Sequence, residues 1–202
     1  MSDAKVPVRV LVLGAHPDDA EYHAGALLAA HAARGAQLRL VAVTDGRSGH
    51  QSIPSSELIQ IRRSEAAAAG RVIGADYVTL DFPDGSLTPS LEVRHRIISE
   101  IRSFQPDLVL THRTNDYHPD HRAVGQAVQD ASYMVRVPKV VPEVAALAKD
   151  PIVAYMNDPF TRPSPLRADV VLDGTPYLDS VVRMMACHAS QFFDWMPWID
   201  RQ

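Results

Sequence analysis

Two short segments carry residue types that do chemistry together. His16-Pro17-Asp18-Asp19 and His118-Pro119-Asp120-His121 offer between them three imidazoles and three carboxylates. Zinc prefers such nitrogen and oxygen donors, and a catalytic zinc keeps three protein ligands and leaves a position for water. His16, Asp19 and His121 would make a His₂Asp site of that kind. Asp18 would then stand beside the metal, free to take the water's proton. His118, three residues before His121, would face the same space as an acid or oxyanion partner. Taken singly, each residue has a plainer reading. Asp18 and Asp19 stand where helix caps and first-turn carboxylates belong, and Pro17 and Pro119 suit a first helical turn. Two such segments at equivalent places in the chain point to one metal centre.

The surrounding pattern supplies those equivalent places. Residues 8–13 (VRVLVL) form a short apolar, β-branched run, as a strand covered on both faces should. Residues 21–34 read as a helix, with Ala26, Leu27, Ala30 and Ala33 on one stripe and Gly35 at its stop. A strand at 38–43 follows, then a loop rich in Gly, Ser and Asp at 44–56 and a helix at 57–69. A strand at 77–80, a helix at 90–104, a strand at 107–111 and a helix at 119–133 continue the alternation. Later segments predict a short helix at 143–149, strands at 152–156 and 169–172, and a final helix at 176–189. Repeated β-α units with short buried strands predict a three-layer α/β/α sandwich with a mainly parallel sheet. Ligands in that architecture sit beyond the carboxyl ends of the strands. Both histidine segments follow such an end.

Composition sets the outer bounds. The chain has 202 residues, 46% hydrophobic and 22% charged, long enough to bury roughly 70% of its unfolded surface in one core. A single domain over residues 1–202 is expected, since no linker-like stretch divides them. The net charge of −4 argues against nucleic acid or an anionic membrane as partner. The lone Cys187 cannot form an internal disulfide and is expected to be a buried thiol. No run is long enough for a membrane span and no cleavage signal follows residues 8–15, so a cytoplasmic location is expected. There is no G-x-G-x-x-G after the first strand and no Walker motif, which argues against a nucleotide-binding protein.

The segments AHPDDAE (Ala15 to Glu21) and HPDH (His118 to His121) resemble the two signatures of the PIG-L/LmbE-like deacetylases. Weaker elements extend the resemblance. Arg62-Arg63-Ser64-Glu65 is similar to the family's R-x-x-E helix, and Phe82-Pro83-Asp84-Gly85 to its loop after the third strand. Asn115-Asp116-Tyr117 leads into HPDH as is common there, and His188-Ala189-Ser190-Gln191 resembles its H-x-S-Q element. The chain departs from the pattern at Ala20, which stands where an acidic residue is common, and at His23, which replaces a glycine.

The resemblance implies a Rossmann-like fold and a zinc-dependent N-deacetylase acting on N-acetylglucosamine-type amides, with Fe²⁺ or another divalent metal as an alternative. It assigns the metal to His16, Asp19 and His121 and the general base to Asp18. It gives His118 the oxyanion or leaving amine, with Asp120 orienting it. Arg62 is carried over as a substrate contact, against the equal reading of a solvated arginine paired with Glu65 at i,i+3. The partner implied is a small N-acyl amino sugar, and the assembly a homo-oligomer. Relatives continue beyond the H-x-S-Q element, so a pocket-closing C-terminal segment is expected to be missing here. Two rival classes stand beside this one: a hydrolase of another amide or ester on the same scaffold, and a non-catalytic α/β binding protein. The loop 44–56 and the stretch 135–150 are expected to shape the pocket rim. The apolar tail FFDWMPWI (residues 192–199) is expected to pack on the core or on another subunit.

Overall fold

A computed structural model describes residues 6–202. Its centre is a five-stranded sheet in the order β3-β2-β1-β4-β5, every pair parallel. The strands are β1 (Arg9–Gly14), β2 (Gln37–Thr44), β3 (Asp76–Phe82), β4 (Leu108–Thr111) and β5 (Ile152–Tyr155). Between them run α1 (Asp19–Ala32), α2 (Ser55–Val72), α3 (Leu91–Phe104) and α4 (Pro119–Met134). After β5 come a 3₁₀ turn at Thr175–Tyr177, α5 (Leu178–Ala186), a π-helical turn at Ser190–Trp195 and α6 (Met196–Ile199). This is the Rossmann-like three-layer α/β sandwich. The expected strands and helices through α4 differ from it only in their ends.

Strand β1 shows why both faces must be covered. Its side chains alternate with period two, and all are shielded. Leu11 and Leu13 join Val41, Val43, Ile97, Ile98, Val124 and Val128 on the α3/α4 side. Val10 and Val12 join Leu28, Leu40, Ala24 and Leu110 on the α1 side. The apolar run therefore serves two cores at once, which a strand with one wet face cannot do. The chain order reverses between β1 and β4, which makes their carboxyl ends the switch point where such sheets open a crevice.

Helix α4 lies unusually close to the exit of β4. A Cβ built on Gly125 would stand 2.6 Å from the His112 carbonyl oxygen and 2.9 Å from that of Arg113. Both obstacles are backbone, so the helix itself must retreat. Gly125→Ala is expected to destabilise the fold by about 1–3 kcal/mol, read as a lowered urea midpoint. An unchanged midpoint would show that α4 is free to move.

Four expectations are corrected. Residues 143–149 are irregular rather than helical, and the loop that leads into them is bent around buried Arg102 on α3, which gathers its carbonyl oxygens. Its guanidinium donates to Met134, Val135, Val137, Val140, Val141 and Val144, and the loop follows those six acceptors. Residues 169–172 are irregular, with Val170 and Val171 both 84% exposed. Strand propensity is realised by pairing, and β5 takes its one partner from β4. The final helix stops at Ala186, and Cys187 is half-buried, its thiol donating to the Arg183 carbonyl at 3.3 Å.

Candidate active site

The exit of β1 is strained. Asp18 precedes α1 with φ of 126°, a conformation that costs a non-glycine residue on the order of 1–3 kcal/mol. It occupies the N-cap position, yet its side chain makes no capping bond. Its backbone N–H donates to the Tyr77 hydroxyl at 3.2 Å, and its carboxylate faces the cavity. Asp19 turns back instead, its Oδ2 accepting the His16 N–H at 2.7 Å. The plain capping reading of Asp18 therefore fails on geometry.

The exit of β4 is built by Asp116. Its Oδ1 accepts the His118 N–H at 3.0 Å and lies 3.1 Å from His121 Nδ1. His118 caps α4, its Nδ1 accepting the Asp120 N–H at 3.2 Å. That bond leaves the proton of a neutral ring on Nε2. Pro119 opens the helix at no cost in hydrogen bonds.

These two exits bring two ring nitrogens and one carboxylate together. His16 Nδ1 and His121 Nε2 are 3.3 Å apart. His121 Nε2 is 3.3 Å from Asp19 Oδ1, and His16 Nδ1 is 3.5 Å from Asp19 Oδ2. Donors placed about 2.0–2.1 Å from a tetrahedral zinc stand about 3.3 Å from one another, so the triangle fits a small divalent cation. The opposite ring nitrogens are held as metal-binding histidines require. His16 Nε2 is 3.2 Å from both Asp84 and Asp120, and His121 Nδ1 is on Asp116. Other groupings of possible ligands exist, such as His16 with His118 and His121, and His23 with His112 and His121. In the first, Nδ1 of His118 is committed to its cap. In the second, His112 Nε2 is already 3.0 Å from Asp19 and 3.1 Å from the Ala15 N–H.

Asp120 stands elsewhere than the resemblance implies. Its carboxylate orients His16 and not His118, and it accepts the N–H groups of Gly85 at 2.7 Å and Leu87 at 3.1 Å. Gly85 has φ of 82°, the left-handed turn that aims its N–H at Asp120 while Asp84 points to the same ring.

The charges follow from this arrangement. Burial would lower His16, but Asp120, Asp19 and Asp84 more than offset it and hold the ring well above its ordinary pKa. Burial likewise opposes charge on His121, while Asp19 and Asp116 raise it to about 9. A cation must displace those protons. Asp18 is pushed up to about 7 by burial and by the charge of Asp19, against the pull of His188, Arg62 and His16. His118 is lowered by burial and by the charges of His16 and His121. It is therefore a neutral N–H donor near neutral pH.

Around the triangle lies a cavity of about 540 Å³. Arg62 borders it, 2% exposed, and donates to the Gly49 carbonyl at 2.9 Å and to Gln191. Its Nε is buried with no partner among the described residues. Glu65, the alternative partner, bonds Ser190 instead. Sequence reasoning left Asp84 and Asp116 without roles, although both lie in quoted loop motifs. It also left unread the buried pair of His188 and Glu21, 3.0 Å apart, beneath Asp18.

Comparison with known proteins gives this geometry its context. The family described as PIG-L: GlcNAc-PI de-N-acetylase matches residues 11–132, which include both histidine segments. The chain belongs to the PIG-L family. The 4-oxalmesaconate hydratase of Pseudomonas putida is 26% identical over 92% of this chain and 74% of its own. A 1D-myo-inositol 2-acetamido-2-deoxy-alpha-D-glucopyranoside deacetylase of Catenulispora acidiphila is 28% identical over 69% of this chain, and the match spans 52% of that enzyme. In three dimensions the chain superposes on the N,N'-diacetylchitobiose deacetylase of Pyrococcus horikoshii with a TM-score of 0.83. That match covers 96% of this chain and 74% of the other at 24% identity. As a PIG-L member the chain falls among LmbE-like deacetylases, and its described helices include none long and apolar enough to cross a membrane.

Proposed function

We propose that this PIG-L protein is a metal-dependent amidohydrolase that removes an N-acetyl or other N-acyl group from an amino-sugar-type small molecule. The carrying observation is the strained Asp18, whose carboxylate is held uncapped beside the triangle of His16, Asp19 and His121. Those three residues would hold the metal, zinc or another divalent ion. A cation bound there supplies Lewis acidity and brings the pKa of a water from about 15.7 towards about 7. Asp18 accepts a proton from the attacking water. His118 Nε2–H donates to the amide oxygen as negative charge gathers on it. The proton held by Asp18 then passes to the leaving amine nitrogen, so acid and amine are released with one water consumed. Arg62 orders the opposite wall through Gly49 and Gln191 and lines the cavity as a substrate contact.

The hydratase relative favours a second reading, addition of water to a carbon–carbon double bond by the same base. Among the described residues Arg62 is the only lysine or arginine lining the cavity, beside Asp18, Asp19 and Asp84. That balance suits a neutral amide better than a polyanionic substrate. Amine release from N-acetylglucosamine-type amides, run beside ultraviolet loss from a conjugated enoate, separates the two.

The residue roles divide under substitution. His118→Ala is expected to lose about 10²–10³-fold in kcat with metal content intact. His121→Ala is expected to lose the metal, measured by elemental analysis of the purified protein. Full metal retention in His121→Ala would remove the assignment.

A further inference from the structure

The H-x-S-Q element makes three contacts with the sandwich, two of them outside the proposed reaction. His188 reaches Glu21 on α1. Ser190 gives its N–H and its hydroxyl to the two oxygens of Glu65 on α2, each at 2.7 Å. Gln191 accepts from Arg62, also on α2. His188 and Ser190 are buried. A polar latch thus fixes the start of the C-terminal helical segment against two helices of the sandwich.

What the latch positions is apolar. Phe192, Trp195, Met196 and Ile199 line the same cavity as His16, Asp18 and His118. Their spacing is i, i+3, i+4, i+7, one stripe of a helix. The stripe is spent on the cavity rather than on the core: Phe192 and Trp195 are half-buried, and Met196 and Ile199 are 41% and 47% exposed. Trp195 is further held by stacking on Trp198, with ring centroids 5.4 Å apart. An apolar wall that is latched and continuous with a polar reaction centre is the build of a binding pocket for an amphiphilic ligand.

We infer that this wall is a subsite for an extended apolar arm of the substrate, an alkyl or aryl group several carbons long carried on the scissile amide's acyl or amine side. The inference rests on the proposed amide hydrolysis and narrows its substrate class. An unsubstituted N-acetyl sugar leaves the stripe wet, whereas an apolar arm covers it and gains up to about fourfold in affinity for each buried methylene.

Two substrate series on the metal-loaded full chain test this. One is N-acyl glucosamines from acetyl to octanoyl; the other is N-acetylglucosaminides with methyl to octyl aglycones. In one of them kcat/KM is expected to rise with length, and which one identifies the side that carries the arm. Trp195→Ala is expected to lower the long-to-short ratio of kcat/KM at least tenfold. Ile199→Ser, a change at a half-exposed position that leaves folding untouched, is expected to lower it severalfold. A flat or falling trend in both series overturns the subsite, as does an unchanged ratio in both variants. Quenching of tryptophan fluorescence by octanoate and by octyl 2-amino-2-deoxyglucoside, against their short homologues, reads binding without turnover. Length-dependent binding with no hydrolysis of any amide keeps the subsite and removes the reaction. Hydrolysis of acetyl substrates with no length dependence in either measurement does the reverse.

Discussion

Asp18→Asn is expected to lower kcat by about 10²–10⁴-fold while the protein keeps its metal and gains stability in the metal-free form. The first half follows from chemistry. The amide is isosteric with the carboxylate but cannot accept the water's proton, and the donor triangle does not include Asp18. The second half follows from linkage. Burial and Asp19 raise the Asp18 pKa from 3.8 to about 7, so the folded state binds this proton more tightly than the unfolded state does. Its contribution to stability is therefore greatest below the unfolded value and is lost as pH rises through about 7. Asparagine carries no such penalty. Thermal melts of metal-free protein should then show the variant more stable than the parent above pH 7, with the gap closing towards about pH 4. Activity of the parent should rise with pH as the carboxylate deprotonates. A variant that is inactive yet no more stable at alkaline pH would argue that the strained backbone of residue 18, not its charge, is what the site needs.

Arg102→Met is expected to remove about 3–5 kcal/mol of stability, a third or more of what a domain commonly has. Methionine matches the volume of the arginine stem, so packing alone predicts little. The cost comes from acceptors. Arg102 is 1% exposed, burial pulls its pKa down, and its guanidinium reaches six carbonyl oxygens between residues 134 and 144. Those oxygens converge on one point, and those of Val140 and Val144 have no other donor among the described residues. Val141, a β-branched residue at φ of 48°, is held in that conformation within the same loop. Arg102→Lys is expected to recover little, since one ammonium cannot span the acceptors that a planar fork does. Urea midpoints measure both variants, and a loss below about 1 kcal/mol in Arg102→Met would mean that water replaces the guanidinium.

The same arginine explains where the sequence is hard to read. Strands β1, β2 and β4 announce themselves because burial on both faces forces a near-continuous apolar run, interrupted within β2 only by Arg39. The reactive pair of segments stands out because helix starts at strand ends need caps but do not need three histidines and three aspartates between them. Nothing local marks residues 134–150, whose path is set by a side chain more than thirty positions earlier. Residues 169–172 fail for the converse reason: their local pattern is that of a strand, but pairing is a property of neighbours. Asp84 and Asp116 lie on loops, where no periodicity singles out one carboxylate from another. Asp120 shows the limit of a motif, since its spacing from His118 is visible while the ring it serves, His16, is 104 residues away.

That distance has a further consequence. His16 meets His121 across 105 residues, His112 meets Asp19 across 93, and Thr111 meets the Leu13 carbonyl across 98. No contiguous half of the chain holds more than the His16–Asp19 side of the donor triangle, and the two sides that meet at His121 form only once β4 has docked beside β1. The site is therefore an all-or-none reporter of the finished sheet. A fragment, a local unfolding event at the switch point or a slipped β1/β4 register abolishes it entirely and leaves no weakened version behind.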